Sequence, residues 1–346
     1  MMDTPEPHPR HPATMAEVAR AARVSRATVS RVLSGAVEVS PETRSRVLEA
    51  VDQLGYVPSI GAQQLAAGRS QSIGLLIRDS RNPVYGLLQS QVQKWADEFG
   101  LHVVTAMPTF YRGAHQETTA LRQLIGMRVG GLLIASGVVR TEDLQQFLPT
   151  VPVVSVGRPE EHPGVYGVSY DERDNATQIA HAVYDHGHRR IAVLVPRSDR
   201  SLAENIRGEV AASVLEELGC DVTRIQLRLL GVGGEGNAEL LKLIRADAVT
   251  AAVFPADRRM LHFVDHARRV GVHVPRDVSV IGCDGVLEGL SYMELASLRI
   301  PVELVSRRAV EVIASMLESP GEVEIMHESY TGTLELANSL VKREAG

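Results

Sequence analysis

The apolar residues of this 346-residue chain follow two different patterns, and the change between them falls at about residue 71. Up to residue 57 they recur at helical spacing in three short segments. From Ser72 onward, continuous apolar runs of strand length alternate with segments of helix length. Such an alternation is typical of parallel sheets with helices on both faces. The pattern therefore predicts a small all-α head and a much larger α/β region.

Signals at helix ends support the three helices of the head. Thr14 and Glu17 have the spacing of a capping box, and Ser25 can cap the second helix. Ser40 precedes a proline at the first position of the third helix, and Gly55 is a typical stop. We expect one small core from three apolar stripes: Val18, Ala19 and Ala22; Val29, Val32 and Leu33; Val47, Leu48, Val51 and Leu54.

The segments that flank the head lack this periodicity. Residues 1–13 are polar and rich in proline, which predicts a disordered tail. Residues 59–71 contain the sequence AQQLAA between glycines. That stretch favours helix but is too short to be stable by itself. We expect a linker that becomes helical when something holds it.

The α/β region has about 275 residues, which favours two doubly wound halves over a single core. We place the crossover between the halves near residues 158–164. The predicted strands are 72–79, 101–107, 129–136, 151–158, 190–196, 225–230, 248–255 and 277–284. Ligands of such sheets bind beyond the carboxyl ends of the strands. The residues that follow strands are 79–85, Ser136, Arg158, 196–201, 255–257 and Asp284.

Composition restricts the class of protein. The net charge of −6 excludes a chain that binds nucleic acid through its bulk charge, so such a site has to be a local patch. No apolar run reaches the length of a membrane span, and no signal peptide is visible. We expect a cytoplasmic protein with no membrane partner. Cys220 and Cys283 have no metal or disulfide spacing and are expected to be reduced thiols, and no cofactor is expected.

The second predicted helix, residues 26–33, is a candidate for that local patch. One third of its helical wheel is apolar, and the opposite side carries Arg26, Ala27, Ser30 and Arg31 without an acidic residue. A guanidinium fork matches the two major-groove acceptors of guanine, and hydroxyls bind phosphates. The alternative is a solvated face on an ordinary three-helix bundle.

The sequence resembles the lac repressor (LacI/GalR) family of bacterial transcription regulators. The resemblance runs from Thr14 to about Leu340 and rests first on VSRATVSRVLSG (24–35), GYVP (55–58) and AQQLA (62–66). Further matches are DSRNP (79–83), GHRRIAVL (187–194), VPRDVSVIGCD (274–284) and TGTL (331–334). The family has a helix-turn-helix head and two periplasmic-binding-protein-like subdomains.

The resemblance implies residue roles in DNA binding. Contacts to phosphates are implied for Thr14, Ser25, Ser30 and Ser34, and contacts to base edges for Arg26, Ala27 and Arg31; Thr28 belongs to the same surface. Ala62, Gln63 and Leu65 would lie in a hinge helix that orders on DNA, with Leu65 as a wedge between base steps. One departure is Arg23, where the family usually has a glycine in the turn. An arginine there would be strained if its backbone is left-handed.

The resemblance also implies a small-molecule effector, which would be sugar-like or another metabolite. The implied binding positions are Tyr85, Arg158, Asn205, Asp257 and Asp284. Asn205 stands where the family has an arginine, and Ala256 replaces an asparagine beside Asp257. For the two aspartates, a role as loop or helix cap is the alternative. The departures leave the identity of the effector open.

Together these features predict a sequence-specific repressor that binds a pseudo-palindromic operator in double-stranded DNA as a homodimer. The predicted domains are the tail (1–13), a DNA-binding domain (14–58), the linker (59–71) and an effector-binding and dimerisation domain (72–346). An alternative is a cytoplasmic solute-binding sensor that does not regulate an operator. An enzyme is not expected, because the sequence has no nucleophile elbow, P-loop, metal set or dinucleotide fingerprint.

Overall fold

The computed structural model describes residues 13–33, 39–57, 70–108, 115–136, 139, 141–228 and 234–343. These residues form two compact units, one ending at Ser70 and the other beginning at Gln71. The predicted tail up to residue 12, Ser34 and most of the linker, including Ala62, Gln63 and Leu65, lie outside the described residues. Within the described ranges, no helix combines the length and the apolar character that crossing a bilayer requires.

The first unit contains the three predicted helices, α1 (Met15–Ala21), α2 (Arg26–Leu33) and α3 (Pro41–Leu54). The capping box is confirmed: the Thr14 hydroxyl accepts from the Glu17 amide at 3.3 Å, and a Glu17 carboxylate oxygen accepts from the Thr14 amide at 2.7 Å. Ser40 caps α3, and Gly55 ends it with a left-handed φ of 59°. The helix boundaries were therefore readable from the capping residues.

The core of this unit agrees with the predicted stripes except in α3. Val18, Val29 and Val47 are fully buried. Leu48 and Leu54 were predicted to be buried but are 45% and 41% exposed. Ala50 packs inward instead, because it lies three residues from Val47, while Leu48 is rotated about 100° away.

The second unit contains two six-stranded sheets. In the first, the strand order is β11-β5-β4-β3-β1-β2, and in the second it is β12-β10-β9-β8-β6-β7. The strands are β1 (Ser72–Ile77), β2 (His102–Ala106), β3 (Gly131–Ala135), β4 (Val153–Val156), β5 (Tyr166–Tyr170), β6 (Arg190–Pro196), β7 (Asp221–Leu227), β8 (Ala251–Val253), β9 (Ser279–Asp284), β10 (Ala296–Arg299), β11 (His327–Tyr330) and β12 (Thr333–Glu335). All described pairings are parallel except that of β12 with β10.

Helices cover both faces of the sheets, as the alternating pattern predicted. They are α4 (Pro83–Glu98), α5 (His115–Gly126), α6 (Thr141–Leu144), α7 (Glu172–Asp185), α8 (Leu202–Glu217), α9 (Asn237–Arg245), α10 (Asp257–Arg269) and α11 (Val302–Glu318). On the first sheet, α4 and α11 pack together on one face and α5 lies on the other. On the second, α8 covers β6 and β7 from one side, and α9 and α10 pack on the opposite side.

The position predicted for the crossover between the halves, near residues 158–164, is wrong. The chain stays in the first sheet through β5 and passes to the second half only at Asp171, which caps α7. It returns with α11, which packs on β3, β4 and β5, and crosses again between β11 and β12. Strand β5 was missed because its sequence, YGVSY, has no continuous apolar run.

Candidate functional site

Helix α2 carries the surface that the sequence singled out. Ser25 caps the helix, since its Oγ accepts from the Thr28 amide at 3.0 Å. Val29 and Val32 are buried in the head, and Thr28 is half-buried. The polar residues are exposed and share one side of the helix: Ser25, Arg26, Ala27, Ser30 and Arg31. The helix therefore presents two guanidinium groups and two hydroxyls in a short exposed stripe.

Thr14 is exposed, but its hydroxyl already has partners within α1. The Oγ1 atom accepts from the Glu17 amide and donates to the Glu17 carboxylate at 2.8 Å. A phosphate at this position would compete with that carboxylate. The phosphate contact implied for Thr14 would therefore require this cap to open, since the hydroxyl is engaged at both of its bonds to Glu17.

The turn between α1 and α2 contains Arg23 with a φ of 55°. This is the left-handed region, as the departure from glycine had suggested. The Arg23 amide still donates to the carbonyl of Arg20 at 3.2 Å. The turn is formed correctly, with the backbone strain of a non-glycine residue.

A cavity of about 110 Å³ lies in the second unit where the carboxyl ends of the two sheets face each other. This volume has room for several water molecules or a small metabolite. The residues that line it come from the last positions of strands, from the segments directly after them, or from the first two turns of the next helices: Arg78, Asp79, Asn82, Val84, Tyr85, Leu88, Ala135, Ser136, Val156, Gly157, Arg158, Tyr170, Arg200, Ser201, Ala203, Glu204, Arg207, Ala256, Arg258, Arg259, Asp284 and Ile300. The predicted region is therefore where the chain forms a pocket.

Three of the five predicted effector positions, Tyr85, Arg158 and Asp284, line this cavity. Asn205 and Asp257 are not among its lining residues, so their contacts with an effector stay predictions. The Asn205 amide donates to the carbonyl of Pro196 at 2.7 Å and so holds a loop. Asp257 is fully buried behind the wall, where its carboxylate accepts from Ser297 and from the amide of Gly285. Both residues shape the backbone around the cavity.

Arg207, which the sequence pattern did not indicate, is the central charged residue of the wall. It is buried, forms a two-pronged ion pair with Glu172, and donates to Asp284 at 2.8 Å and to the carbonyl of Pro255 at 3.0 Å. It lies two residues after Asn205 on the same helix, α8. The available signal was its spacing of three residues from Glu204, which puts both on one helix face.

Tyr170, at the end of β5, was missed because the strand itself was missed. Its side chain is buried and lines the cavity, yet its hydroxyl has no hydrogen-bond partner among the described residues. Burial raises the pKa of this phenol well above its usual value. The hydroxyl therefore keeps its proton and can donate to a ligand.

The remaining charges of the wall are arranged in pairs. Arg158 donates to Glu160 at 2.7 Å, to Ser155 and to the carbonyl of Val139. Arg259 donates to Glu204 at 2.8 Å. Each pair is held on the wall by a strand end or by the start of a helix, so the guanidinium groups have fixed positions.

The buried carboxyl groups near Arg207 have perturbed titrations. Burial raises the pKa of Asp257, and the charge of Asp284 raises it further. Burial also raises the pKa of Asp284, against the opposing effect of Arg207. On the other side of the cavity, burial raises the pKa of Glu117, which accepts from Ser136 at 2.7 Å.

Contacts between described residues join the halves at the cavity. Arg78, after β1, donates to the carbonyl of Arg200, after β6, at 2.6 Å. Arg258, in the first turn of α10, lies 3.6 Å from the carboxylate of Asp79. These contacts cross from the first sheet to the second, so separating the halves would break them.

Family models match most of the chain. Residues 14–59 match the model of bacterial regulatory proteins of the lacI family. Residues 70–244 match that of periplasmic binding proteins and the sugar-binding domain of the LacI family, and residues 180–335 match a periplasmic binding protein-like domain. The two kinds of model correspond to the all-α head and to the α/β unit.

Curated relatives align over nearly the whole length. The HTH-type transcriptional regulator MalR of Streptomyces coelicolor is 30% identical over 334 residues, which is 93% of this chain and 94% of the relative. The HTH-type transcriptional regulator CelR of Thermobifida fusca is 30% identical over 332 residues, 92% of this chain and 96% of the relative. Catabolite control protein A of Priestia megaterium is 29% identical over 280 residues, 78% and 82% of the two chains.

Solved structures show the same architecture. A lac repressor dimer bound to operator and an anti-inducer superimposes with a TM-score of 0.80 at 22% identity, covering 96% of this chain and 100% of that one. A complex of the regulator CelR with cellobiose gives a TM-score of 0.66 at 28% identity, with 94% and 99% coverage. At 22% identity, the first likeness concerns the fold alone.

Proposed function

The chain belongs to the lacI family of bacterial regulatory proteins, and on this premise we propose that it is a homodimeric repressor controlled by a small molecule. It is a DNA-binding transcriptional regulator, like the curated relatives it matches. The proposal adds that it represses, that it acts as a dimer and that the effector occupies the cavity between the two sheets. The observation that carries the proposal is the exposed stripe of α2, from Ser25 to Arg31, which has arginines and hydroxyls but no carboxylate.

The stripe has the dimensions of a major-groove reader. Arg26 begins α2, and Arg31 lies five residues further, more than one helical turn away. The two guanidinium groups would therefore address different base pairs. Ser30 lies between the two arginines in sequence, and Ser25 directly precedes Arg26. Hydroxyls at these places can bind phosphates and so fix the register of the helix on the DNA.

The cavity can couple to DNA binding through closure of the two halves. Its wall takes residues from both sheets, and the chain crosses between the halves at three places, so a ligand can favour one arrangement of the halves over another. An effector that weakens operator binding would, by linkage, be bound more weakly in the presence of the operator.

The proposed dimer follows from the symmetry of the DNA site. Two heads related by a two-fold axis would read two half-sites of a pseudo-palindrome. In this arrangement the linker residues Ala62, Gln63 and Leu65 would enter the minor groove, with Leu65 as an apolar wedge. These linker roles stay predictions of the sequence.

The test is selection of bound fragments from genomic DNA with the purified full-length protein, followed by footprinting of the enriched site. We expect one enriched motif with two inverted half-sites, and a mass in solution of two chains. Enrichment without any inverted repeat would contradict the proposal. It would favour the alternative of a solute-binding sensor, in which the cavity is the functional site.

A further inference from the structure

We propose that the effector of this cavity is an anionic metabolite, with a phosphate or carboxylate group that binds to Arg78 and to the hydroxyl of Tyr170, two residues of its wall. This inference rests on the proposed function, since it names the class of molecule that would occupy the effector cavity. Its basis is the distribution of donors and acceptors on the wall. Phosphate and carboxylate share the chemistry that guanidinium and phenol groups recognise.

The carboxylates of the wall are already engaged by arginines. Asp79 accepts from Arg81 at 2.9 Å and lies 3.6 Å from Arg258. Glu204 and Asp284 each accept a guanidinium hydrogen bond at 2.8 Å, from Arg259 and Arg207 respectively. The hydroxyl protons of a neutral polyol need acceptors. The carboxylate oxygens of this wall that could accept them are already bound by arginines, so the polyol would have to share them.

Arg78 is placed differently from the arginines that hold those carboxylates. It lines the cavity and donates one hydrogen bond, to the carbonyl of Arg200, and it forms no ion pair within the described part of the chain. The guanidinium group has five N–H donors, so most of them can face a ligand. Arg200, whose carbonyl accepts from Arg78, also lines the cavity from the opposite half.

The carboxyl groups around Arg78 offset its positive charge only in part. Glu204 is held by Arg259. The carboxyl of Glu117 accepts from Ser136, and burial raises its pKa, which disfavours the ionised form. The wall near Arg78 therefore keeps a positive character that an anion can neutralise.

Tyr170 supplies an independent observation that points to a ligand. Its hydroxyl is buried at the cavity and has no partner in the part of the chain that the structure describes. A buried hydroxyl without a hydrogen bond is costly, and a ligand oxygen would satisfy it. Leu88, Val84 and Ile300 add apolar wall, which suits a short carbon skeleton behind the anionic group.

The first experiment measures anion binding without knowledge of the natural effector. The melting temperature of the full-length protein is compared in sodium phosphate and sodium chloride at equal ionic strength. Phosphate stabilises proteins in general, so the comparison is repeated with Arg78→Gln and with Arg276→Gln. Arg276 loses the same charge but lies outside the cavity, on an exposed loop beside Asp277.

We expect an additional phosphate-dependent rise in melting temperature in the wild type and in Arg276→Gln, and its loss in Arg78→Gln. A rise that is equal in all three proteins, or absent from all, would overturn the proposal. Isothermal titration should show at least about a tenfold loss of phosphate affinity in Arg78→Gln, since hydrogen bonds to charged groups are among the stronger ones.

A pair of tyrosine variants tests the second contact. Tyr170→Phe removes a hydroxyl that has no hydrogen-bond partner among the described residues, so the ligand-free protein should unfold at an unchanged or slightly higher temperature while phosphate binding weakens. Tyr166→Phe is the matched control, because the Tyr166 hydroxyl donates to Glu328. It should lower the melting temperature and leave phosphate binding intact. Unchanged phosphate binding in Tyr170→Phe together with weaker phosphate binding in Tyr166→Phe would count against the site.

Paired metabolites then separate the sources of the anionic group. Glucose, glucose 6-phosphate and gluconate are compared, as are glycerol and glycerol 3-phosphate, for their effect on melting temperature and on release of the selected DNA. Stabilisation by the phosphorylated or acidic member alone supports the inference, and equal stabilisation by the neutral member overturns it.

If the DNA motif is found but only neutral sugars act, the proposed function stands and this inference falls. If no DNA motif is found, the proposed function fails independently of anion binding.

Discussion

Among single residues, Arg23 combines a left-handed backbone, with φ of 55°, and a side chain that disfavours it. We predict that Arg23→Gly stabilises the α1–α2 turn by up to about 1 kcal/mol, since glycine adopts this conformation without strain. Hydrogen exchange of the buried amide of Val29, in the full-length protein, measures the change. Arg20→Gly is the control, because Arg20 is helical and exposed, and there glycine should cost about 1 kcal/mol. The same sign for both variants would contradict the interpretation.

The two kinds of side chain on α2 should have separable effects on DNA binding. Arg31→Ala is expected to remove about 1–3 kcal/mol of discrimination between bases at one position of the site. Ser30→Ala should weaken all sequences alike, because a phosphate contact carries no base information. Binding of both variants to the selected site and to single-base changes measures the difference. An unchanged sequence preference in Arg31→Ala would show that another residue reads the bases.

Residue-level prediction succeeded where chemistry depends on local spacing. The cap of Thr14 and Glu17 was readable from a few neighbours in sequence, and the glycine that the resembling family has at Arg23 pointed to a left-handed turn there. The wall of the cavity was predicted only in part. Asn205 was chosen by position, whereas the residue that reaches the cavity is Arg207, whose partners lie 35 and 77 positions away in the chain. Such pairings depend on the tertiary fold and have no local signal.

At the scale of elements, helix α8 is held close to strand β6 by a glycine. A Cβ atom on Gly208 would lie 2.9 Å from the carbonyl oxygen of Leu194 and 3.2 Å from the Cα of Val195. Gly208→Ala should therefore push α8 from the sheet and lower the free energy of unfolding by roughly 1–3 kcal/mol. Urea unfolding of the full-length protein measures it.

Gly86→Ala is the control for that change. Gly86 lies in helix α4, and a Cβ there meets no atom within 4 Å. The variant should gain roughly 0.5–1 kcal/mol from helix propensity. If Gly208→Ala stabilised the protein equally, the close approach of α8 and β6 would not be limiting.

Elements were predictable in proportion to their length and apolar continuity. The buried run of β1, SIGLLI, lies within the predicted strand 72–79. The later strands β10, β11 and β12 have only three or four residues and gave no pattern. Helix α11 was also missed, although it has 17 residues. Nine of its residues are buried, so its apolar positions extend beyond a single stripe.

At the scale of the whole molecule, Glu328 secures the return of the chain to the first sheet. It lies on β11, and hydrogen bonds from Arg308, on α11, from Tyr166, on β5, and from Tyr330 lower its pKa to about 2, while burial opposes this. A carboxyl whose pKa is lower in the folded state stabilises the fold above its unfolded pKa, and this stability is lost as pH falls.

We therefore predict that Glu328→Gln lowers the free energy of unfolding at neutral pH, and that the deficit shrinks between pH 4.5 and about 2. Urea unfolding over a series of pH values measures it. Glu335→Gln serves as control, since Glu335 is exposed and forms no ion pair among the described residues. A deficit for Glu328→Gln that is independent of pH would mean that packing, and not the charge, is responsible.

The three crossings of the chain between the two sheets also determine when each sheet can be completed during synthesis on the ribosome. Strand β11 completes the edge of the first sheet and β12 that of the second, and both follow every other strand of the α/β unit in the described chain. The first sheet cannot be completed until Tyr330 has been synthesised, and the second not until Glu335, although strands of the first half begin at Ser72. The three-helix head, whose described core ends at Tyr56, has all its residues far earlier. During synthesis the surface proposed to read DNA thus precedes the unit proposed to control it, and unpaired sheet edges next to β5 and β10 are exposed in that interval.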